Sequence, residues 1–299
     1  MKPPPQKLLI AAAFVAVYIV WGSTYLAIKI AIGSIPPFLM ASTRFLISGV
    51  ILCSWARWRG APMPGAAQWR AAAVVGTLLL LGGNGGVAWA EQYVETGLAS
   101  VIIATVPVWM TLLGVVQRHA AYPRRVWVGL AVGFAGIWAL VRPGASGQLH
   151  AGGIAVLLAA AFLWALGSVL AKRCPRPESS AMTVGLQMLT GGVSLLLAAL
   201  LTGESSRLHL SSVSGPSVAA LTYLVLCGSL IGFTAYIWLL KVCSLPQVST
   251  YAYVNPVVAV ALGHAFAGER LSPQTLWSGA IILLGVLIVQ SVPERPSGP

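Results

Sequence analysis

The chain has 299 residues, of which 58% are hydrophobic and 8% charged, with 32 Gly and 19 Pro and a mean hydropathy of +0.85. A soluble globular domain is about half apolar and about a quarter charged, so this composition excludes a soluble enzyme, a disordered chain and a collagen. A net charge of +12 would suit nucleic acid if the basic residues shared one soluble face, but here they stand between apolar runs.

A membrane-crossing helix needs about 20 apolar residues, so a chain of this length holds roughly ten spans and no sizeable soluble domain. Apolar windows bounded by charge, Pro or polar clusters predict spans at Leu8 to Ile32, Phe38 to Ala56, Ala71 to Trp89, Leu98 to Val116 and Val126 to Val141. A second set follows at Gly152 to Ala171, Met182 to Leu201, Val218 to Leu240, Val248 to Ala267 and Leu276 to Gln290. The expected fold is an all-α integral membrane bundle of ten helices in two five-helix repeats, 8–141 and 152–290, with cytoplasmic tails 1–7 and 291–299. The first apolar run passes Trp21 and reaches Ile32 without a small-residue cleavage site, which predicts a retained span.

With the N-terminus inside, Lys2, Lys7, Arg57, Arg59, Arg70, Arg118, Arg124, Arg125, Lys172, Arg173, Arg176, Lys241 and Arg295 fall on the cytoplasmic side. Only Arg142, Arg207 and Arg270 fall in outer loops. Basic residues are retained on the cytoplasmic side, so both termini are expected there. The same asymmetry accounts for the high pI without a nucleic-acid partner.

The two halves resemble each other. Trp21 and Lys29 match Trp164 and Lys172 at the same separation, and Gly83, Trp89, Ser100, Pro107, Gly114 and Gly136 match Gly232, Trp238, Ser249, Pro256, Gly263 and Gly285 at one constant offset. Several coincidences at one offset point to duplication. A repeat with an odd number of spans must insert upside down relative to its copy, the arrangement associated with alternating access around a midplane site.

Four constellations are candidates for function. Pro107 and Pro256, at corresponding positions of spans four and nine, each remove a backbone N–H, and paired helix breaks mark transporter sites, although each Pro also serves as a packing kink. Gly82-Gly83-Asn84-Gly85-Gly86 in span three allows close helix approach, while Asn84 needs a partner or a cavity at that depth. Trp21, Tyr25, Trp164 and Tyr251 offer flat faces with polar tips suited to an amphipathic organic solute or a cation, whereas Trp55, Trp58, Trp69, Trp127 and Trp277 at span ends read as an interfacial belt. Asn255 beside Pro256 adds a further polar contact. Arg44, seven residues past Pro37, lies on the order of 10 Å inside the boundary. It reads either as a structural pair with Glu91, or as that carboxylate's counter-charge or a ligand for a substrate carboxylate at a protonatable gate.

Enzyme chemistry lacks its residues. The chain has no Asp, no phosphate-binding Gly loop, no Gly-x-Ser-x-Gly and no HExxH. Cys53, Cys174, Cys227 and Cys243 form no CxxC, and no His set has zinc-ligand spacing, so neither a metal nor a cofactor is expected. The spacing His264-x-x-x-x-Glu269 keeps a membrane enzyme acting on a lipid or sugar carrier as an alternative, and a passive channel is another.

Tyr18-Ile-Val-Trp21-Gly22-Ser23-Thr24-Tyr25, Arg44-Phe45-Leu46, Asn84 to Tyr93 with Thr96-Gly97-Leu98-Ala99, and Tyr251-Ala-Tyr253-Val-Asn255-Pro256-Val257 resemble the EamA family of the drug/metabolite transporter superfamily. Gly268-Glu269-Arg270 fits the same pattern, but the corresponding stretch after span four reads Gln117-Arg118-His119. The resemblance implies a bacterial inner-membrane secondary transporter, usually an exporter of amino acids, metabolites or drugs, with a cavity lined by spans one, three, four, six, eight and nine. Its expected partners are a small-molecule substrate, the lipid bilayer and protons, and a single chain holding both halves is able to work as a monomer.

Overall fold

The computed structural model describes residues 6–94, 96–116, 122–140, 150–267 and 273–292, and every regular element among them is helical. In chain order these are α1 (Gln6–Ala31), α2 (Pro37–Trp58), α3 (Ala66–Ala90), α4 (Thr96–Ile103), α5 (Val106–Val116), α6 (Arg124–Leu140) and α7 (Ala151–Arg173). They continue with α8 (Ser180–Leu201), the short α9 (Glu204–Arg207), α10 (Gly215–Val242), α11 (Leu245–Ser249), α12 (Tyr251–Ala267) and α13 (Pro273–Gln290). Among the described residues six helices, α1, α2, α3, α7, α8 and α10, are long and apolar enough to cross a membrane. The predicted spans four and nine are each broken in two, at Ala104–Thr105 and at Thr250, and spans five and ten are the shorter α6 and α13.

Local chemistry sets the helix ends. Pro37 opens α2 at its first position, where a missing N–H costs nothing. The free N–H of Leu39 is taken by Glu204 Oε2 at 3.0 Å, so an acidic side chain from after α8 sits on the positive end of α2. Ser179, Ser214 and the His150 ring cap α8, α10 and α7 through the backbone N–H groups of Met182, Ser217 and Gly153. Gly203, with φ of 69°, follows α8 in the left-handed conformation that glycine adopts most readily.

Both α3 and α10 widen into π-helical turns, over Thr77–Gly85 and Leu224–Phe233. Such turns are rare and cluster at functional sites. Here they fall on the glycine-rich stretches of the two helices.

The helices pair in a regular way: α2 lies along α8 and α6 along α13. Small residues sit at both seams, Gly49, Gly185 and Gly192 in the first and Gly129, Gly133, Gly136 and Gly285 in the second. Large apolar side chains such as Val15, Ile19, Val50, Leu197, Leu284 and Leu287 are exposed on the outer faces. Water would make that exposure unfavourable, and hydrocarbon does not. The belt residues Trp55, Trp58, Trp69, Trp127 and Trp277 are likewise exposed, whereas Trp21, Trp164 and Tyr251 are buried.

A candidate solute cavity where the two halves meet

The buried aromatic residues converge on one point. Trp21 of α1 meets Trp164 of α7 edge-on at 5.5 Å between ring centroids and meets Tyr251 of α12 edge-on at 4.9 Å. Tyr236 of α10 packs against all three, at 4.9 Å from Trp21, 5.5 Å from Trp164 and 5.6 Å from Tyr251. Their polar tips are tied back into the protein. Trp21 Nε1 donates to the Gly228 carbonyl at 3.1 Å, Trp164 Nε1 donates to the Tyr236 hydroxyl at 3.1 Å, and that hydroxyl also bonds Ser168 Oγ. Edge-on packing of rings with satisfied tips holds each face rigidly.

Two glycines make this arrangement possible. A Cβ on Gly83 would stand 2.6 Å from Trp164 Cε3, and one on Gly232 would stand 2.5 Å from Trp21 Nε1. The tryptophan of each half therefore lies against the glycine of the other half.

Beside this cluster lies a cavity of about 590 Å³, its open mouth included. It is lined from α1 by Trp21, Thr24, Tyr25 and Ile28, from α2 by Arg44, from α3 by Gly83, Asn84 and Val87, and from α4 and α5 by Ile103 and Val106. Ala160 and Trp164 of α7, Phe233 of α10, and Tyr251 and Asn255 of α12 complete the wall. The mixture of many apolar faces with a few polar groups is usual for small-molecule sites. On α1 the lining starts at Trp21 and runs toward the C-terminal end, while the preceding turn is tied to the α11–α12 junction and to α13. There Tyr18 and Thr250 share a 2.6 Å hydrogen bond, and Gln290 Nε2 donates to Thr250 Oγ1 at 3.1 Å.

Trp21, Tyr25, Asn84, Trp164, Tyr251 and Asn255, singled out from the sequence, all line this cavity, and Arg44 joins them. Span two thus contributes a wall residue in addition to the six spans expected. Glu91 does not reach the lining. It follows α3, its side chain is fully buried, and neither carboxylate oxygen has a hydrogen-bond partner among the described residues.

The expected ion pair between Arg44 and Glu91 is not formed. Arg44 Nε donates to Ser229 Oγ at 2.8 Å, and its guanidinium lies 4.7 Å from the Phe45 ring centroid, because Gly228 leaves room for it against α10. At the other end, Lys29 Nζ donates to the Glu91 backbone carbonyl at 2.7 Å. Lys172 does the same for the Cys243 carbonyl at 2.6 Å, so the lysine of each half caps the C-terminal end of that half's π-containing helix.

The prolines stand behind the wall. Pro107 is buried just after the Ala104–Thr105 break, whereas α12 runs on through Pro256 and its interruption lies at Thr250. His264 lies within α12, and Glu269, Gln117 to His119 and Gly268 to Arg270 lie outside the described residues. None of the four cysteines is joined in a disulfide.

The sequence reading passed over Thr24, Ser229 and Phe233. The repeat offset was a usable signal for Phe233, since the step that carries Gly83 to Gly232 carries Asn84 to Phe233. The same step carries Val106 to Asn255, and all four residues of these two pairs line the cavity.

The EamA-like transporter family matches residues 8–142 and 151–291, and the chain belongs to it. An inner membrane transporter of Escherichia coli K12, YedA, is 38% identical over 289 residues, covering 95% of this chain and 91% of that protein. A probable amino-acid metabolite efflux pump of Salmonella typhimurium is 25% identical over 288 residues, covering 91% of each. One protein of known crystal structure shares the fold with a TM-score of 0.75 at 19% identity, covering 94% of this chain and 96% of that one. The chain is a multi-pass inner-membrane protein of the EamA transporter type.

Proposed function

We propose that the protein is a secondary carrier that exports a small organic solute by alternating access, binding it in the cavity between its halves. The observation that carries this reading is the cavity itself, walled by residues of both halves, with the turn before it tied across at Tyr18. A wall shared by two bodies is rebuilt whenever one moves against the other, which is how a site changes sides without forming a continuous pore.

Ten crossings in two inverted repeats fit this reading. The π-helical turns of α3 and α10, the interrupted segments α4–α5 and α11–α12, and the lysine caps all recur once in each half. The exchanged tryptophan–glycine contacts, and the pairing of α2 with α8 and α6 with α13, are what a pseudo-twofold axis in the membrane plane requires. With both termini cytoplasmic, as the basic loops favour, the Tyr18 ties face the cytoplasm as a seal and the cavity faces outward.

Trp21, Tyr25, Trp164 and Tyr251 serve as stacking walls, and Asn84 and Asn255 as polar contacts. Glu91 is the coupling residue. A buried carboxyl without a partner must be compensated by a nearby cation or neutralised by a proton, and Lys29 stands at its backbone. The export direction follows the name of the Salmonella relative. Counterflow in proteoliposomes tests the reading. Saturable uptake accelerated by the same solute on the far side supports a carrier, unsaturable flux indicates a channel, and a modified product from labelled lipid indicates an enzyme.

A further inference from the structure

Arg44 is the one charged residue among the described residues that line the cavity. Its side chain is 4% exposed, and its hydrogen bond to Ser229 uses Nε alone. The Phe45 ring supports the guanidinium, and a Cβ on Gly228 would stand 2.7 Å from Nη2. The fork is therefore anchored on one side and pressed against α10, and no hydrogen bond holds its terminal nitrogens among the described residues. Glu91, the carboxyl expected to pair with it, forms no hydrogen bond through either oxygen among the described residues.

A buried cation with no anionic partner is costly, and the cost falls when a partner arrives. The planar guanidinium presents parallel N–H donors that fit a carboxylate in bidentate fashion. Two further features restrict what such an anion carries. The Trp21, Trp164 and Tyr251 faces favour an apolar or aromatic body, and the Asn255 side chain on the same wall adds a neutral amide rather than a second charge.

We propose that Arg44 is the ligand of the substrate's carboxylate, so that this carrier selects organic carboxylates with an apolar body over amphipathic cations. The inference rests on the cavity being the solute site, and it is tested by binding without reference to transport.

The experiment measures thermal stabilisation and tryptophan quenching of the purified protein with aromatic and branched aliphatic carboxylates, each paired with its neutral amide, and with tetraphenylphosphonium as the cation. At least one carboxylate is expected to bind and its amide to bind about 10- to 100-fold more weakly, the range of a charge-assisted hydrogen bond. R44Q is expected to lose that preference, and R44K to keep part of it.

Without ligand, R44Q is expected to melt no lower than wild type, because it removes an uncompensated charge. A purely structural Arg44 would lower it. If R44Q fails to fold, S229A loosens the anchor and is expected to weaken carboxylate binding while leaving amide binding unchanged. Equal binding of acid and amide, tighter binding of the cation, undiminished carboxylate binding by R44Q, or no binding across the panel would each overturn the proposal. Carboxylate-selective binding without counterflow would overturn the carrier reading and leave this one standing.

Discussion

Gly83→Ala is the sharpest structural perturbation available. The added methyl would sit 2.6 Å from Trp164 Cε3 and 3.3 Å from its Cβ, whereas carbon atoms in contact settle at about 3.5–4.0 Å. The indole must therefore shift by roughly 1 Å, and its Cβ leaves little room to do so by rotation. Overpacking of this kind costs about 1–3 kcal/mol. Displacing the ring also weakens the 3.1 Å bond from Trp164 Nε1 to Tyr236, adding about 1 kcal/mol. A loss of about 2–4 kcal/mol is expected, seen as a melting temperature several degrees lower in detergent, together with weakened solute binding because Trp164 is a cavity wall. Gly232→Ala should give a loss of similar size, since its methyl would meet Trp21 at 2.5 Å. Gly215→Ala, with nothing within 4 Å, is the control. Wild-type melting and binding in Gly83→Ala would refute the claim that the exchanged tryptophan–glycine contacts set the cavity wall.

Three more outcomes follow from particular contacts. Glu91→Gln should abolish flux driven by a pH gradient while leaving the melting temperature no lower, because a buried unpartnered carboxyl is replaced by a neutral group; undiminished pH-driven flux would remove Glu91 from the coupling role. Tyr18→Phe deletes the hydroxyl that bonds Thr250 at 2.6 Å, a net loss of about 0.5–1.5 kcal/mol. Label should then reach the cavity from the sealed side several-fold faster, and unchanged access would show that the seal lies elsewhere. Lys29→Met removes a cation from the C-terminal end of α3, so the protein should lose about 1 kcal/mol of stability. Lys172→Met should do the same at the end of α10, and a melting temperature unaffected by either change would argue against the paired caps.

The polar and aromatic residues of the cavity were legible because each is conspicuous in its surroundings. Tyr25, Asn84 and Asn255 stand in apolar runs that give them no other use, and the matched positions of Trp21 and Trp164 drew attention to both. Phe233 was not conspicuous, since one more apolar residue in a buried helix resembles core, and only the repeat offset could have raised it. The partner of Arg44 was misread because one-dimensional depth placed Glu91 nearby, whereas α10 supplies a hydroxyl on a neighbouring π-helical turn. The broken spans were read from Pro107 and Pro256, but α12 passes through its proline and parts at Thr250, whose side chain bonds the Gln247 carbonyl one turn back at 2.7 Å. Residue type marks where a helix is weak, and tertiary partners decide where it parts.

The central claim is that one cavity is reached in turn from either side of the membrane. It is tested most directly by placing a single cysteine at Asn84, in a background lacking the native thiols at Cys53, Cys174, Cys227 and Cys243. A membrane-impermeant thiol reagent is then applied to either side of oriented vesicles. The account predicts labelling from both sides, with a bound solute or Tyr18→Phe raising one rate while lowering the other. Labelling from one side alone under every condition, or two rates that rise and fall together, would contradict it.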